Sequence, residues 1–144
     1  MPSLVTERIE SVKAGVTGAA AFAVAELVFS IAQSLFLETR GSTVSTSIDG
    51  SWSIQLAIGA VSGFLFGVTY RYVIRGDRNS HLNDGAVLAF GLVRGLAVVE
   101  NLAPAKLLSG LFLVIQSIIC FAIARLILDL AISTKLIKPF IDEQ

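Results

Sequence analysis

The sequence predicts an all-α polytopic membrane protein, a bundle of four transmembrane helices forming a single domain over residues 1–144. Three observations carry that prediction. Hydrophobic residues make up 54% of the 144 positions, and the mean hydropathy is +0.78. Charged residues are only 15%, against about 25% in an ordinary soluble domain. The 11 basic and 11 acidic side chains are also bunched into short stretches, with long apolar runs between them. A soluble globule, a disordered tail and a nucleic-acid binder are all excluded, the last because it needs a basic excess that a net charge of zero denies.

A helix needs about 20 mostly apolar residues to cross roughly 30 Å of hydrocarbon. The first candidate runs from about Val12 to Leu37, and the acidic leader before it (Glu7, Glu10) fits a retained helix better than a cleaved signal. Residues 2–13 place Leu4, Val5, Ile9 and Val12 at helical spacing. Two readings stay open for them: a short interfacial helix in the headgroup layer, or the solvated first turns of the same helix. The second candidate, about 52–74, contains 21 uncharged residues from Gly50 to Tyr70. The third, about 84–101, is short, carries Arg94 in its middle, and is read as a crossing rather than a re-entrant hairpin, with Asn83 or Asp84 as its cap. The fourth, about 107–132, follows a tight turn at Pro104.

With four crossings both termini share a side. That side holds Arg8, Lys13, Arg71, Arg75, Arg78, Lys135 and Lys138; the other holds Arg40 and Lys106. The excess of Lys and Arg puts both termini in the cytoplasm, or in the stroma of a plastid. Arg71, Arg75, Arg78 and His81 then form a basic cytoplasmic loop suited to docking a partner.

Gly59, Gly63 and Gly67 fall four residues apart, as do Gly91 and Gly95, and Gly15, Ala19 and Ala23 repeat the pattern in the first helix. Small residues at that spacing make a smooth face on which helices pack closely in lipid. The faces serve either a compact bundle or contact with another membrane protein, including a second copy; room for a flat cofactor is the lesser reading. A short match between residues 21–26 and 89–94 sets Glu26 opposite Arg94, although six positions between small-residue helices are weak support for a repeat.

Intramembrane charge is costly, and each instance calls for a named partner. Glu26 and Arg94 fall at similar depth in helices of the same direction, so they are expected to form an ion pair that fixes which helices are neighbours. Arg125 and Asp129, four residues apart, are expected to pair along the fourth helix. Gln33, Gln55 and Gln116 are candidates for hydrogen bonds between helices, and Cys120 is read as a small hydrophobe. One histidine beside two acids is no metal site, and no nucleophile elbow, P-loop, HExxH or CxxC pattern occurs, so no metal and no enzymatic chemistry are expected.

The run Thr69-Tyr70-Arg71-Tyr72-Val73-Ile74-Arg75, with Asp77, Asn79 and Leu82, leads into Gly85-Ala86-Val87-Leu88-Ala89-Phe90-Gly91-Leu92-Val93-Arg94-Gly95-Leu96. Together these residues resemble a family of small multi-pass membrane proteins of unassigned activity found in cyanobacteria and plant plastids. The likeness extends loosely to Lys138-Pro139-Phe140. The resemblance implies a thylakoid or plastid inner membrane and a role near photosynthesis, and it brings no reaction. The sequence shows no long N-terminal extension of the kind plastid import uses, so a bacterial inner or thylakoid membrane is expected.

The leading expectation is a non-enzymatic assembly factor or accessory subunit of a larger membrane complex, resting on the Gly faces, the uncharged lipid-facing surface and the basic loop. A small transporter or channel subunit using Glu26 as a proton or cation site is the first alternative. A pigment- or quinone-binding protein is the second, with Arg94 neutralising Glu26 so that its free oxygen ligates a chlorophyll magnesium.

Overall fold

The computed structural model describes residues 4–39, 50–74, 80–100 and 107–138. Four helices make up nearly all of them: α1 (Leu4–Thr39), α2 (Gly50–Val73), α3 (Ser80–Val99) and α4 (Leu107–Ser133). Each is long and apolar enough to cross a membrane. The shortest, α3, has 20 residues, about 30 Å at 1.5 Å per residue, so its length suits a full crossing.

Consecutive helices pair into two hairpins, α1 with α2 and α3 with α4. The hairpins meet mainly through α1 and α4, while α2 and α3 barely touch. Glycine explains the tight pairs. A Cβ on Gly63 would lie 2.7 Å from the Gly18 carbonyl oxygen, and one on Gly67 would overlap the Ala14 carbonyl. In the second hairpin, a Cβ on Gly91 or Gly95 would lie 2.8 and 2.7 Å from the Cα atoms of Ile118 and Val114. Backbones this close exclude any larger side chain. The smooth faces read from the sequence are therefore turned inside the bundle, which fits the compact-bundle reading of the two.

One phenylalanine from each helix fills the centre. Phe121 of α4 has ring centroids 4.6 Å from Phe22 (α1), 5.2 Å from Phe66 (α2) and 5.8 Å from Phe90 (α3). Tilted and edge-on rings of this kind add to the dispersion contacts that hold helices together where lipid supplies little hydrophobic drive.

Two helix starts differ from the sequence reading. The first helix begins at Leu4 instead of Val12 and runs on without a break, so residues 4–13 are its first turns and not a separate interfacial helix. The third begins at Ser80, which places Asp84 in the second turn, where it pairs with Arg125 instead of capping. The remaining boundaries agree within two residues. Beyond α4 the chain reverses at Lys135, whose φ is +60°, while the amides of Leu136 and Ile137 bond to the Ala131 carbonyl. That turn carries Ile137 back into the core.

Candidate functional site: polar ties between the hairpins

Three polar links join helices of one hairpin to helices of the other, one at each depth. In the middle, Arg94 Nη2 of α3 donates to Glu26 Oε1 of α1 at 2.9 Å and to the Gln55 carbonyl of α2 at 3.3 Å. The guanidinium also sits 5.2 Å from the centroid of the Phe22 ring. Arg94 is 8% exposed, so its charge is held by Glu26 and not by water. Sequence reasoning paired these two because they are the only mid-span charges on helices of the same direction.

Gly59 takes part in this link as well as in packing. A Cβ there would lie 2.5 Å from Glu26 Oε2 and 3.1 Å from Arg94 Nη2. The missing side chain is the space the ion pair occupies. Oε2 itself is buried and makes no hydrogen bond. A neighbouring cavity of about 240 Å³ is lined by Phe22, Glu26, Gln55, Arg94, Ser117 and Cys120, among others.

Toward the end that carries Leu4 and Lys138, the Tyr70 hydroxyl of α2 donates to Asp129 Oδ1 of α4 at 2.6 Å. The expected Arg125–Asp129 pair is present only as a long contact, 3.7 Å from Nε to Oδ2. Arg125 Nη1 instead bonds Asp84 Oδ1 of α3. The helical i,i+4 pair is thus one part of a wider network, with Asp84 and Tyr70 as the members missed. Toward the opposite end, Gln33 Nε2 of α1 donates to Gln116 Oε1 of α4 at 3.0 Å.

Arg71 departs most from the sequence reading. It is 1% exposed and docks nothing outside. Nη2 bonds Glu7 Oε2 and Nη1 bonds Ser11 Oγ, both at 2.6 Å, while Nε donates to the Lys138 carbonyl at 2.9 Å. Glu10 closes the knot by accepting from the Lys138 amide and from Lys13 Nζ. One guanidinium therefore fastens the start of α1, the exit of α2 and the chain after α4. Glu7 and Glu10 gave no clear signal of this knot, because Arg8 and Lys13 stand beside them in the sequence as local partners. His81 lies exposed in the first turn of α3 rather than in a loop, and Arg75 and Arg78 fall outside the described residues. The docking loop is corrected accordingly: of its members with described side chains, only His81 faces outward.

Among the described residues no group of three or more His, Cys, Asp or Glu side chains could hold a metal ion. The ties pair a guanidinium with a carboxylate, a phenol hydroxyl with a carboxylate, and one side-chain amide with another, a chemistry suited to fixing geometry. No family model matches the chain, and neither a curated protein nor a solved structure is found to be similar to it.

Proposed function

We propose that this chain is a non-enzymatic integral membrane protein that works by contact, as an accessory or assembly subunit of a larger membrane complex. The observation that carries this reading is the open seam between α2 and α3. Ile58, Ser62 and Leu65 face Ala89, Val93 and Ala97 across an apolar groove of about 420 Å³. Ala89, Val93 and Ala97 follow one another at four-residue spacing, the arrangement on which a further transmembrane helix packs closely. With the glycine faces and Arg71 turned inward, this groove is an apolar surface still open to a partner within the bilayer.

The mid-membrane charges support the same reading. Glu26 is cancelled by Arg94, and a cation would have to displace a guanidinium held at three points. That speaks against the carrier alternative. The 240 Å³ cavity is smaller than the roughly 300–1,000 Å³ of small-molecule sites, which leaves little room for a pigment or quinone head within it. The charge bias of the ends favours cytoplasmic termini, and the family resemblance favours a bacterial inner or thylakoid membrane with a photosynthetic complex as partner.

The test is affinity purification from native membranes in mild detergent, comparing the unaltered chain with Ala89→Trp. Ala89 is exposed, so the bulky ring should block the groove without unfolding the bundle. A membrane protein should co-elute with the unaltered chain and be lost from the variant, with helical content and unfolding midpoint unchanged. A partner retained by Ala89→Trp, or none recovered, ends this proposal. Ion flux in reconstituted vesicles that Glu26→Gln abolishes would put the transporter in its place.

A further inference from the structure

A second groove, independent of the α2–α3 seam, lies between α1 and the chain that follows α4. Its apolar wall is Ile9, Val12, Val16 and Leu136, its basic rim is Arg8 and Lys13, and its volume is about 510 Å³. All four wall side chains are more than half exposed, so the groove is an unfilled apolar surface.

The charges around it do not balance. Glu7 is taken by Arg71, and Glu10 by Lys13 and the Lys138 amide. Among the described residues Arg8 has no acidic partner, and Lys135 and Lys138 add exposed positive charge at the same end. The groove between α3 and α4 at that end makes the contrast. There Arg125 is compensated by Asp84 and Asp129. Among the described residues the α3–α4 groove holds no uncompensated cation, whereas the α1 groove does.

We propose that the α1 groove is a binding site for one anionic phospholipid. Its acyl chain lies along Val12, Val16 and Leu136, and its phosphate meets Arg8, with Lys13 beside it already paired with Glu10. The argument is charge complementarity joined to position. The apolar wall is continuous with the lipid-facing surface of α1, and the rim lies where that helix leaves the hydrocarbon. Basic side chains at that level attract anionic headgroups, and an apolar trough below them holds a chain that a free phosphate lacks.

The full chain, reconstituted in vesicles of equal phosphatidylglycerol and phosphatidylcholine and extracted in mild detergent, would be examined by native mass spectrometry for retained lipid. One phosphatidylglycerol per chain is expected, in preference to phosphatidylcholine. Arg8→Gln should lower its retention roughly five-fold. Val12→Trp, which fills the trough and keeps every charge, should abolish it. Both positions are exposed and outside the polar ties, and an unchanged unfolding midpoint in each variant verifies the fold. Equal retention of the two lipids, no retained lipid, or phosphatidylglycerol retention indifferent to Arg8→Gln overturns the assignment. So does a co-eluting protein that excludes the lipid from the unaltered chain.

Discussion

Glu26 and Arg94 differ in what each leaves behind when the other is removed. Arg94 is the more deeply buried partner, its side chain 8% exposed against 23% for Glu26, and a guanidinium cannot shed its charge. Glu26→Gln should therefore cost about 3 kcal/mol, the scale of an uncompensated buried charge, and Arg94→Gln only ~1 kcal/mol. The double substitution should cost less than Glu26→Gln alone. Unfolding in mixed micelles, followed by circular dichroism, gives all three values, and equal losses from the two single substitutions would contradict the account. Lys135 offers a simpler case. It holds a left-handed backbone without being glycine, so Lys135→Gly should stabilise by up to about 1 kcal/mol in the same assay. At this scale the sequence revealed what depends on depth along a helix and missed what depends on the return of a distant segment. Glu26 and Arg94 could be matched by counting from the membrane surface. The burial of Arg71 could not, because it depends on Lys138 folding back from beyond α4, a path fixed by the turn at Lys135.

The glycines at helix interfaces are separable by what stands opposite them. Gly67 faces the Ala14 backbone, which cannot give way, whereas Gly85 has nothing within 4 Å. Gly67→Ala should destabilise by about 1–3 kcal/mol through forced separation of α1 and α2. Gly85→Ala should be neutral or stabilise by up to about 1 kcal/mol through helix propensity. Gly59→Ala should fall between them, since its neighbours are the movable ends of Glu26 and Arg94. Micelle unfolding midpoints rank the three. The four helices themselves were readable because about 20 apolar residues in a row have few other uses. The start of α1 was not, because Glu7 and Glu10 resemble solvated charges until Arg71 and Lys13 are found beside them. The spacing of the glycines foretold close packing but not its direction, since a smooth face suits an inner neighbour and an outside partner equally.

At the scale of the whole molecule, two glycine-packed hairpins are held together by the phenylalanine cluster, three polar ties between helices, and the grip of Arg71 and Glu10 on the Lys138 backbone. A chain cut between residues 75 and 79 and co-expressed as two pieces should reassemble, because each hairpin keeps its own interface. Reassembly, read by pull-down of an untagged second hairpin, should fall when Tyr70→Phe and Gln33→Leu remove the outer ties, and should fail when Glu26→Gln is added. Halves that associate equally well without the ties would leave the buried core and the Lys138 contacts as the adhesive. The pairing of Glu26 with a residue 68 positions later also bears on how the protein is made. The ribosome delivers the acid first, so the segment that carries Arg94 is made when its counterion already exists. The base, which has no neutral form to wait in, is threaded in only after an anion is ready to receive it. The opposite order would have asked the insertion machinery to leave a bare cation in oil.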